Sequence, residues 1–205
     1  MREVRLGLDF DNTIVQYDGV FHRVALERGL IPASLPVTKL AVRDWLRSHG
    51  QEDIWTEMQG HVYGARMRDA DMYLGVREFL AWARDRRIPL TIVSHKTRHP
   101  FLGEKHDLHA AARNWIAEFL RDAQGSFVPD DRIHFELTKE AKWARIANSG
   151  VTHFVDDLPE ILLSEAFPPA VERILFDPDR HHDDPSPGVR TIHAWTQLRA
   201  CIEPC

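Results

Sequence analysis

The segment VRLGLDFDNT, residues 4–13, is the most informative part of the sequence about the fold. It begins as a mostly apolar run and then stops at Asp9 and Asp11, two carboxylates separated by one residue. A short apolar run that ends at polar residues predicts a buried β-strand. In an open α/β sheet, ligands bind beyond the carboxyl ends of the strands. We therefore expect both aspartates at a functional edge of a sheet.

Five further runs of this kind follow along the chain, and helical patterns separate most of them. The runs are residues 88–93, 132–137, 151–155, 171–176 and 189–193. Segments 75–87 and 109–120 have apolar residues at helical spacing, and Thr138 suits the N-cap of a helix over 138–148. Strands that alternate with helices need crossover connections. The pattern therefore predicts a doubly wound, Rossmann-like α/β core with a mostly parallel sheet.

The alternation fails once, between the first run and the helix that leads into the second. About 60 residues pass there with helix-like pieces at 38–49 and 52–64 and no convincing strand. A connection in a compact domain is normally far shorter. We therefore expect an inserted helical subdomain over residues 16–73, and a core made of residues 1–15 and 74–205.

The composition argues against a polyanion as partner. The 205 residues include 26 Lys and Arg against 31 Asp and Glu, a net charge of −5, whereas a nucleic-acid binder needs a dense positive surface. No apolar stretch has the length of a signal peptide or of a membrane span. Both cysteines, Cys201 and Cys205, stand at the end of the sequence, which is untypical of a disulfide-dependent fold. We expect a cytoplasmic protein with no membrane or nucleic-acid partner. The sequence does not indicate the oligomeric state.

Polar side chains also follow two other strands. Ser94 follows the second run, and Asp156 and Asp157 follow the fourth. With Asp9 and Asp11, this places four carboxylates at strand ends, where they repel one another unless a cation lies among them. A hard ion such as Mg²⁺ meets that need, because it binds a few carboxylates together with the phosphate oxygens of a substrate.

The helix over 138–148 can add a positive charge to this edge. Lys142 lies 14 positions before Asp156, near the start of the helix that precedes it. Lys139 is an alternative, since it is three positions away on an adjacent part of the same helix face. The spacing favours Lys142.

These residues resemble the four sequence motifs of the haloacid dehalogenase-like hydrolase superfamily. The resemblance extends from residue 4 to about residue 165, and its first and fourth motifs are the most specific. The insertion 16–73 takes the place of that superfamily's C1 cap, in its helical form. The motifs are, in order, Asp9-Phe10-Asp11-Asn12-Thr13, Ser94 after Leu90-Thr91-Ile92-Val93, Lys142, and Phe154-Val155-Asp156-Asp157-Leu158-Pro159-Glu160.

The resemblance implies a Mg²⁺-dependent phosphatase and a role for each residue. Asp9 would be the nucleophile that forms an aspartyl-phosphate. Asp11 would protonate the leaving oxygen and then activate water, and its backbone carbonyl would bind Mg²⁺. Lys142 would neutralise charge on the phosphoryl group and on Asp9. Thr13 and Ser94 would hold phosphate oxygens with their hydroxyls.

The same resemblance implies the metal ligands and the substrate class. Asp156 would bind Mg²⁺ directly, and Asp157 would bind either Mg²⁺ itself or one of the ligands of Mg²⁺. The implied metal site comprises Asp9, Asp11, Asp156 and Asp157. His95, next to Ser94, is a further candidate for contact with the substrate, which would be a small phosphorylated metabolite. Glu160 either orients water on the metal or is an exposed helix acid.

Other functions stay open at this point. A phosphomutase needs the same Asp9 and Asp11 but returns the phosphoryl group to its substrate, and a non-catalytic binding or regulatory protein can keep the fold. Asp11 argues against a dehalogenase, since that chemistry needs neither an acid for an alkoxide leaving group nor a metal. The sequence His181-His182-Asp183-Asp184 suggests binding of Zn²⁺ or Ni²⁺, but its Pro-rich context favours a plain surface loop.

Overall fold

The computed structural model describes residues 3–182 and 187–202, and its main feature is a six-stranded parallel sheet. The described strands are β1 (Leu6–Leu8), β2 (Val15–Gln16), β3 (Asp71–Met72), β4 (Leu90–His95), β5 (Arg121–Asp122), β6 (Gly125–Ser126), β7 (Ile133–Glu136), β8 (His153–Asp156), β9 (Glu172–Phe176) and β10 (Val189–Ile192). The order across the large sheet is β10, β9, β8, β1, β4, β7, with every neighbouring pair parallel. All six predicted strands are present, and the predicted Rossmann-like α/β core is confirmed.

Strand β1 lies in the middle of the sheet because its residues tolerate burial on both faces. Leu6 and Leu8 are fully buried, and Leu8 is in register with Ile92 of β4 on one side and Val155 of β8 on the other. Between them, Gly7 leaves room for the ring of Phe154: a Cβ at position 7 would lie 2.4 Å from the Phe154 Cδ2. The glycine is therefore required by close packing inside the sheet.

The helices bear out most of the predicted pattern. The described α-helices are α1 (Asp18–Glu27), α2 (Lys39–Ser48), α3 (Glu52–Tyr63), α4 (Val76–Asp85), α5 (Leu108–Phe119), α6 (Lys139–Asn148), α7 (Pro159–Leu162) and α8 (Leu198–Ile202). The hydroxyl of Thr138 accepts a hydrogen bond from the Ala141 amide at 3.1 Å, so the predicted N-cap of α6 is confirmed. Helix α1 was not predicted; its N-cap residue, Tyr17, makes no side-chain capping bond that a sequence pattern would reveal.

The expectation of no strand between residues 16 and 73 is wrong at its two ends. Strands β2 and β3 pair with each other in a separate two-stranded sheet. In the chain, β2 follows β1 and β3 precedes α4. Two-residue strands are too short to produce the alternation by which a strand is recognised in a sequence.

The contacts divide the chain into two compact units. A sheet unit comprises the described residues of Met1–Ile14, Met72–His95 and Leu120–Cys205, and a helical unit comprises Val15–Asp71 and Lys96–Phe119. The helical unit therefore contains α5 and the loop before it in addition to the inserted segment. No helix within the described ranges is long and apolar enough to cross a lipid bilayer.

The helical unit has an aromatic core of its own. The ring of Phe21 contacts those of Trp55 and Tyr63, with centroids 5.0 and 5.7 Å away. Helix α5 is tied to the end of the inserted segment, since the Trp115 indole N–H donates to the Ala70 carbonyl at 3.0 Å. The Lys96 Nζ also lies 4.8 Å from the centroid of the Tyr63 ring. Residues 96–119 therefore belong to the helical unit, although they follow β4 in the chain.

The close approach at Gly7 gives a test of the packing. We expect Gly7→Ala to lower the free energy of unfolding by about 2 kcal/mol, because the new methyl group must displace the buried Phe154 ring. Gly19→Ala is the matched control: it lies in α1, where the added Cβ meets nothing closer than 3.6 Å and alanine favours the helix. Urea unfolding of both variants measures the difference, and equal stability of the two would contradict this account of β1.

Candidate active site

The structure brings Asp9, Asp156 and Lys142 together at the carboxyl edge of the sheet. Asp9 and Asp156 each follow the register pair Leu8–Val155, so they stand side by side as β1 and β8 end. The Lys142 Nζ donates to the Asp9 Oδ1 and to the Asp156 Oδ2, both at 2.6 Å. All three side chains are almost completely buried, with exposed fractions of 2% for Lys142, 6% for Asp9 and 0% for Asp156.

Helix α6 delivers Lys142 to this position and directs Lys139 elsewhere. Lys142 and Ile146, one helical turn apart, form the buried face of α6. The Lys139 Nζ instead pairs with the Glu160 carboxylate at 2.9 Å, and these side chains are 38% and 58% exposed. Of the two lysines that the sequence left in competition, Lys142 therefore lies among the strand-end carboxylates. Glu160 is an exposed acid paired with Lys139.

The charges in this cluster shift one another's ionisation. Burial has the largest effect on Asp9 and, with the negative charges of Asp156 and Asp11, raises the pKa of its carboxyl to about 7 against the lowering effect of Lys142. Burial alone lowers the pKa of Lys142, but Asp156 and Asp9 together hold it above its ordinary value. Lys142 therefore stays positively charged, while the acids around it outnumber it.

The acidic group has the chemistry of a site for a hard cation. One carboxylate oxygen from each of Asp9, Asp156 and Asp157 lies within 4.8 Å of the others. The Leu158 amide donates to the Asp156 Oδ1 at 3.0 Å and holds that carboxylate in place. The three carboxylates offer only oxygen ligands, and their negative charge exceeds the single positive charge of Lys142. Mg²⁺ prefers such a set of ligands.

The other predicted residues lie at the same edge of the sheet. Thr13 is fully buried, and its Oγ1 donates to the Asp157 Oδ1 at 3.5 Å. Asp11 is half-buried and near enough to Asp9 for its charge to raise the Asp9 pKa. Ser94 is buried near the end of β4, two positions beyond the Ile92–Leu8 register pair, and the half-buried His95 follows it.

The structure also shows a contact that the sequence did not indicate. The indole N–H of Trp195 donates to the backbone carbonyl of Thr13 at 3.0 Å across 182 residues of chain. No local pattern predicts such a bond, since Trp195 lies outside the four motifs. The ring of Phe154, in β8, contributes a further unpredicted contact, because the Lys142 Nζ lies 5.6 Å from its centroid.

The histidine-rich segment can be followed only in part. The amides of His181 and His182 donate to the Asp177 carboxylate at 2.9 and 3.0 Å, which makes this segment a tight turn. Asp183 and Asp184, the other half of the suggested transition-metal site, lie outside the described residues, as does Cys205. The suggestion of Zn²⁺ or Ni²⁺ stays untested.

Solved structures with the same architecture match nearly the whole chain. A haloacid dehalogenase (HAD) family hydrolase from Deinococcus radiodurans, with bound phosphate and sodium, is 15% identical with a TM-score of 0.55, and the match covers 97% of this chain and 94% of that one. A putative HAD hydrolase from Bacillus subtilis, bound to magnesium, is 11% identical with a TM-score of 0.56 and full coverage of both chains. The chain has the haloacid dehalogenase-like fold.

A dehalogenase solved with an intermediate complex shares this haloacid dehalogenase-like fold as well. It is 11% identical with a TM-score of 0.62, and the match covers 99% of this chain and 98% of that one. No protein-family model and no curated protein matches the chain. Since proteins with one fold catalyse different reactions, the activity must be argued from the site.

The buried lysine gives a test that does not depend on activity. We expect Lys142→Met to lower the free energy of unfolding by about 3 kcal/mol, because it leaves Asp9 and Asp156 buried side by side without their cation. Lys139→Met, the same change at the exposed pair with Glu160, should cost less than about 1 kcal/mol. Urea unfolding at pH 8 with EDTA measures both variants. A Lys142→Met protein as stable as the control would show that the cluster does not depend on this ammonium.

Proposed function

We propose that this protein is a Mg²⁺-dependent phosphatase that hydrolyses a small phosphomonoester through an aspartyl-phosphate on Asp9. One observation carries the proposal: a buried carboxylate at the carboxyl edge of the sheet, bonded at 2.6 Å to a buried ammonium and grouped with Asp156 and Asp157. A nucleophile for phosphorus needs such positive charge nearby, because negative charge builds up on the phosphoryl oxygens as the reaction proceeds.

In the first step, an Asp9 carboxylate oxygen attacks phosphorus and the bond to the leaving oxygen breaks. Asp11 protonates that oxygen, so the product leaves as an alcohol, and Asp9 becomes an acyl phosphate. In the second step, Asp11, now ionised, takes a proton from water as the water oxygen attacks phosphorus. The bond between phosphorus and the Asp9 oxygen breaks, so inorganic phosphate leaves, Asp9 is again a carboxylate and Asp11 is again protonated.

The other residues of the site orient the phosphoryl group and balance its charge. Thr13 and Ser94 offer buried hydroxyls that can donate to phosphate oxygens, and Lys142 is the fixed positive charge next to Asp9. His95 is the candidate for contact with the rest of the substrate. Mg²⁺ would be held by the carboxylates of Asp9, Asp156 and Asp157 and by the backbone carbonyl of Asp11. When bound, it supplies positive charge in addition to that of Lys142, which the four acids require.

Asp11 favours a phosphatase over the dehalogenases that share the fold. A halide leaves without a proton, so a dehalogenase has no use for an acid two residues after the nucleophile, whereas an alkoxide leaving group needs one. The inserted segment 16–73, as the counterpart of a helical C1 cap, favours a small phosphorylated metabolite as the substrate. We also propose a cytoplasmic location, because the sequence has only two cysteines, Cys201 and Cys205, and a disulfide-dependent fold would have more of them through the chain.

Replacement of the nucleophile tests the proposal most directly. We expect Asp9→Asn to reduce hydrolysis of an aryl phosphate by about a thousandfold or more, because the amide is a far weaker nucleophile than the carboxylate. Asp131→Asn, at an exposed position in the turn before β7, is the matched control and should retain full activity. Circular dichroism confirms that each variant is folded. An active Asp9→Asn protein would contradict the assignment.

A panel of phosphorylated metabolites should distinguish a phosphatase from a phosphomutase and from a non-catalytic protein. Phosphorylated metabolites incubated with Mg²⁺ or with EDTA are expected to release free phosphate only when Mg²⁺ is present. Isomerised sugar phosphate without free phosphate would identify a phosphomutase. No metal-dependent turnover of any compound would favour a non-catalytic protein with this fold.

The acid role of Asp11 predicts a dependence on the leaving group. We expect Asp11→Asn to slow an alkyl phosphate at least about tenfold more than a nitrophenyl phosphate, because nitrophenolate leaves readily without a proton. The ratio of kcat for the two substrates measures this effect and is insensitive to the amount of active enzyme. An equal loss on both substrates would remove Asp11 from the acid role.

A further inference from the structure

Trp195 contacts the turn that follows the nucleophile, although it lies 182 residues away in sequence. It begins a 3₁₀ turn, Trp195–Gln197, after β10, and its side chain is almost completely buried. Its indole N–H donates to the Thr13 carbonyl at 3.0 Å. This bond reaches the backbone between the predicted acid, Asp11, and the end of the turn at Ile14.

The turn needs support of this kind. The Ile14 amide donates to the Phe10 carbonyl at 3.0 Å and closes the turn, but Asn12 within it has φ +56, in the left-handed region that residues other than glycine rarely adopt. Bonds from outside also hold it: the Trp195 indole donates to the Thr13 carbonyl, and the Tyr73 amide donates to the Ile14 carbonyl at 3.0 Å. The Thr13 hydroxyl donates to the Asp157 carboxylate at 3.5 Å.

Trp195 is itself held rigidly. Its ring packs against those of Phe79 and Phe176, with centroids 5.5 and 6.1 Å away. The Gln197 Oε1 accepts hydrogen bonds from the His193 and Ala194 amides at 2.7 and 3.2 Å, which closes the backbone around the start of the 3₁₀ turn. The indole donor is therefore a fixed point in the sheet unit rather than a mobile side chain.

We propose that Trp195 is a positioning residue whose indole N–H holds the turn carrying Asp11 and Thr13 in its working geometry. Without this donor, the Thr13 carbonyl loses its bond in a buried place, and the turn relaxes toward a conformation that restores one. The acid and the phosphate-binding hydroxyl would then move away from the reacting atoms. The structural part of this inference stands alone, and its catalytic consequence rests on the proposed phosphatase activity.

Two tryptophans allow a matched comparison. Trp195→Phe keeps an aromatic ring and removes the indole donor. Trp115→Phe makes the same change in the helical unit, where an equally buried indole donates to the Ala70 carbonyl, also at 3.0 Å. Both variants lose one buried hydrogen bond and some ring volume, so we expect similar losses of thermal stability. Only the first should affect the turn.

The first measurement is hydrogen exchange, which needs no activity. We expect the Ile14 amide to exchange at least about tenfold faster in Trp195→Phe than in the wild type, and to be unchanged in Trp115→Phe. Unchanged exchange of Ile14 in both variants would overturn the proposal, whatever reaction the protein catalyses.

The second measurement is steady-state kinetics with an alkyl and an aryl phosphomonoester. We expect Trp195→Phe to lower kcat on the order of tenfold on the aryl substrate, with KM within about twofold of the wild-type value. The loss of kcat should be larger on the alkyl substrate, because displacement of the acid matters most for the poorer leaving group. Trp115→Phe should leave kcat on both substrates within about twofold of the wild-type value. A loss of folded enzyme would scale both substrates equally, and that result in Trp195→Phe would overturn the catalytic consequence. A wild-type protein that hydrolyses neither substrate would contradict the proposed function, while the exchange experiment would still decide the role of Trp195.

Discussion

The buried ammonium of Lys142, bonded to Asp9 and Asp156 at 2.6 Å each, is the interaction on which this site depends. Taking three charges out of water is costly, and only close pairing in good geometry offsets that cost. Such an arrangement is weak evidence for stability, since apolar residues of similar volume would fill the space at least as well. It is better explained as a prepared charge distribution, in which the proposed nucleophile, Asp9, lies beside a fixed positive charge.

The fold meets this constraint with elements that are far apart in the chain. Parallel pairing of β1 with β8 brings Asp9 and Asp156 side by side, and the Thr138 cap starts α6 where Lys142 points at them. Gly7 belongs to the same arrangement, because it admits the Phe154 ring, which lies against the Lys142 ammonium. These packing residues therefore lie in one connected group with Asp9, Asp156 and Lys142.

The haloacid dehalogenase-like fold alone does not identify the reaction, since a dehalogenase and a hydrolase solved with bound phosphate both match this chain. The proposed phosphatase activity rests on the turn after Asp9. A turn that carries an acid and a hydroxyl suits phosphate, provided that it is held firmly, and the left-handed Asn12 shows that its conformation is not the default one. The bond from Trp195 extends the machinery of the site to a part of the chain well beyond the four motifs.

The six strands, the N-cap of α6 and the four strand-end positions could be predicted from the sequence, because apolar runs, caps and turn residues act locally. The sequence did not reveal α1, whose first residue lacks a capping side chain, or the two-residue strands β2 and β3. The packed chain was needed to show that Lys142 rather than Lys139 enters the acidic cluster, since two lysines three positions apart on one helix differ mainly in what packs against them. It alone grouped residues 96–119 with the helical unit and placed the Trp195 indole on Thr13. These outcomes depend on contacts between distant residues, and such contacts exist only once the chain has packed.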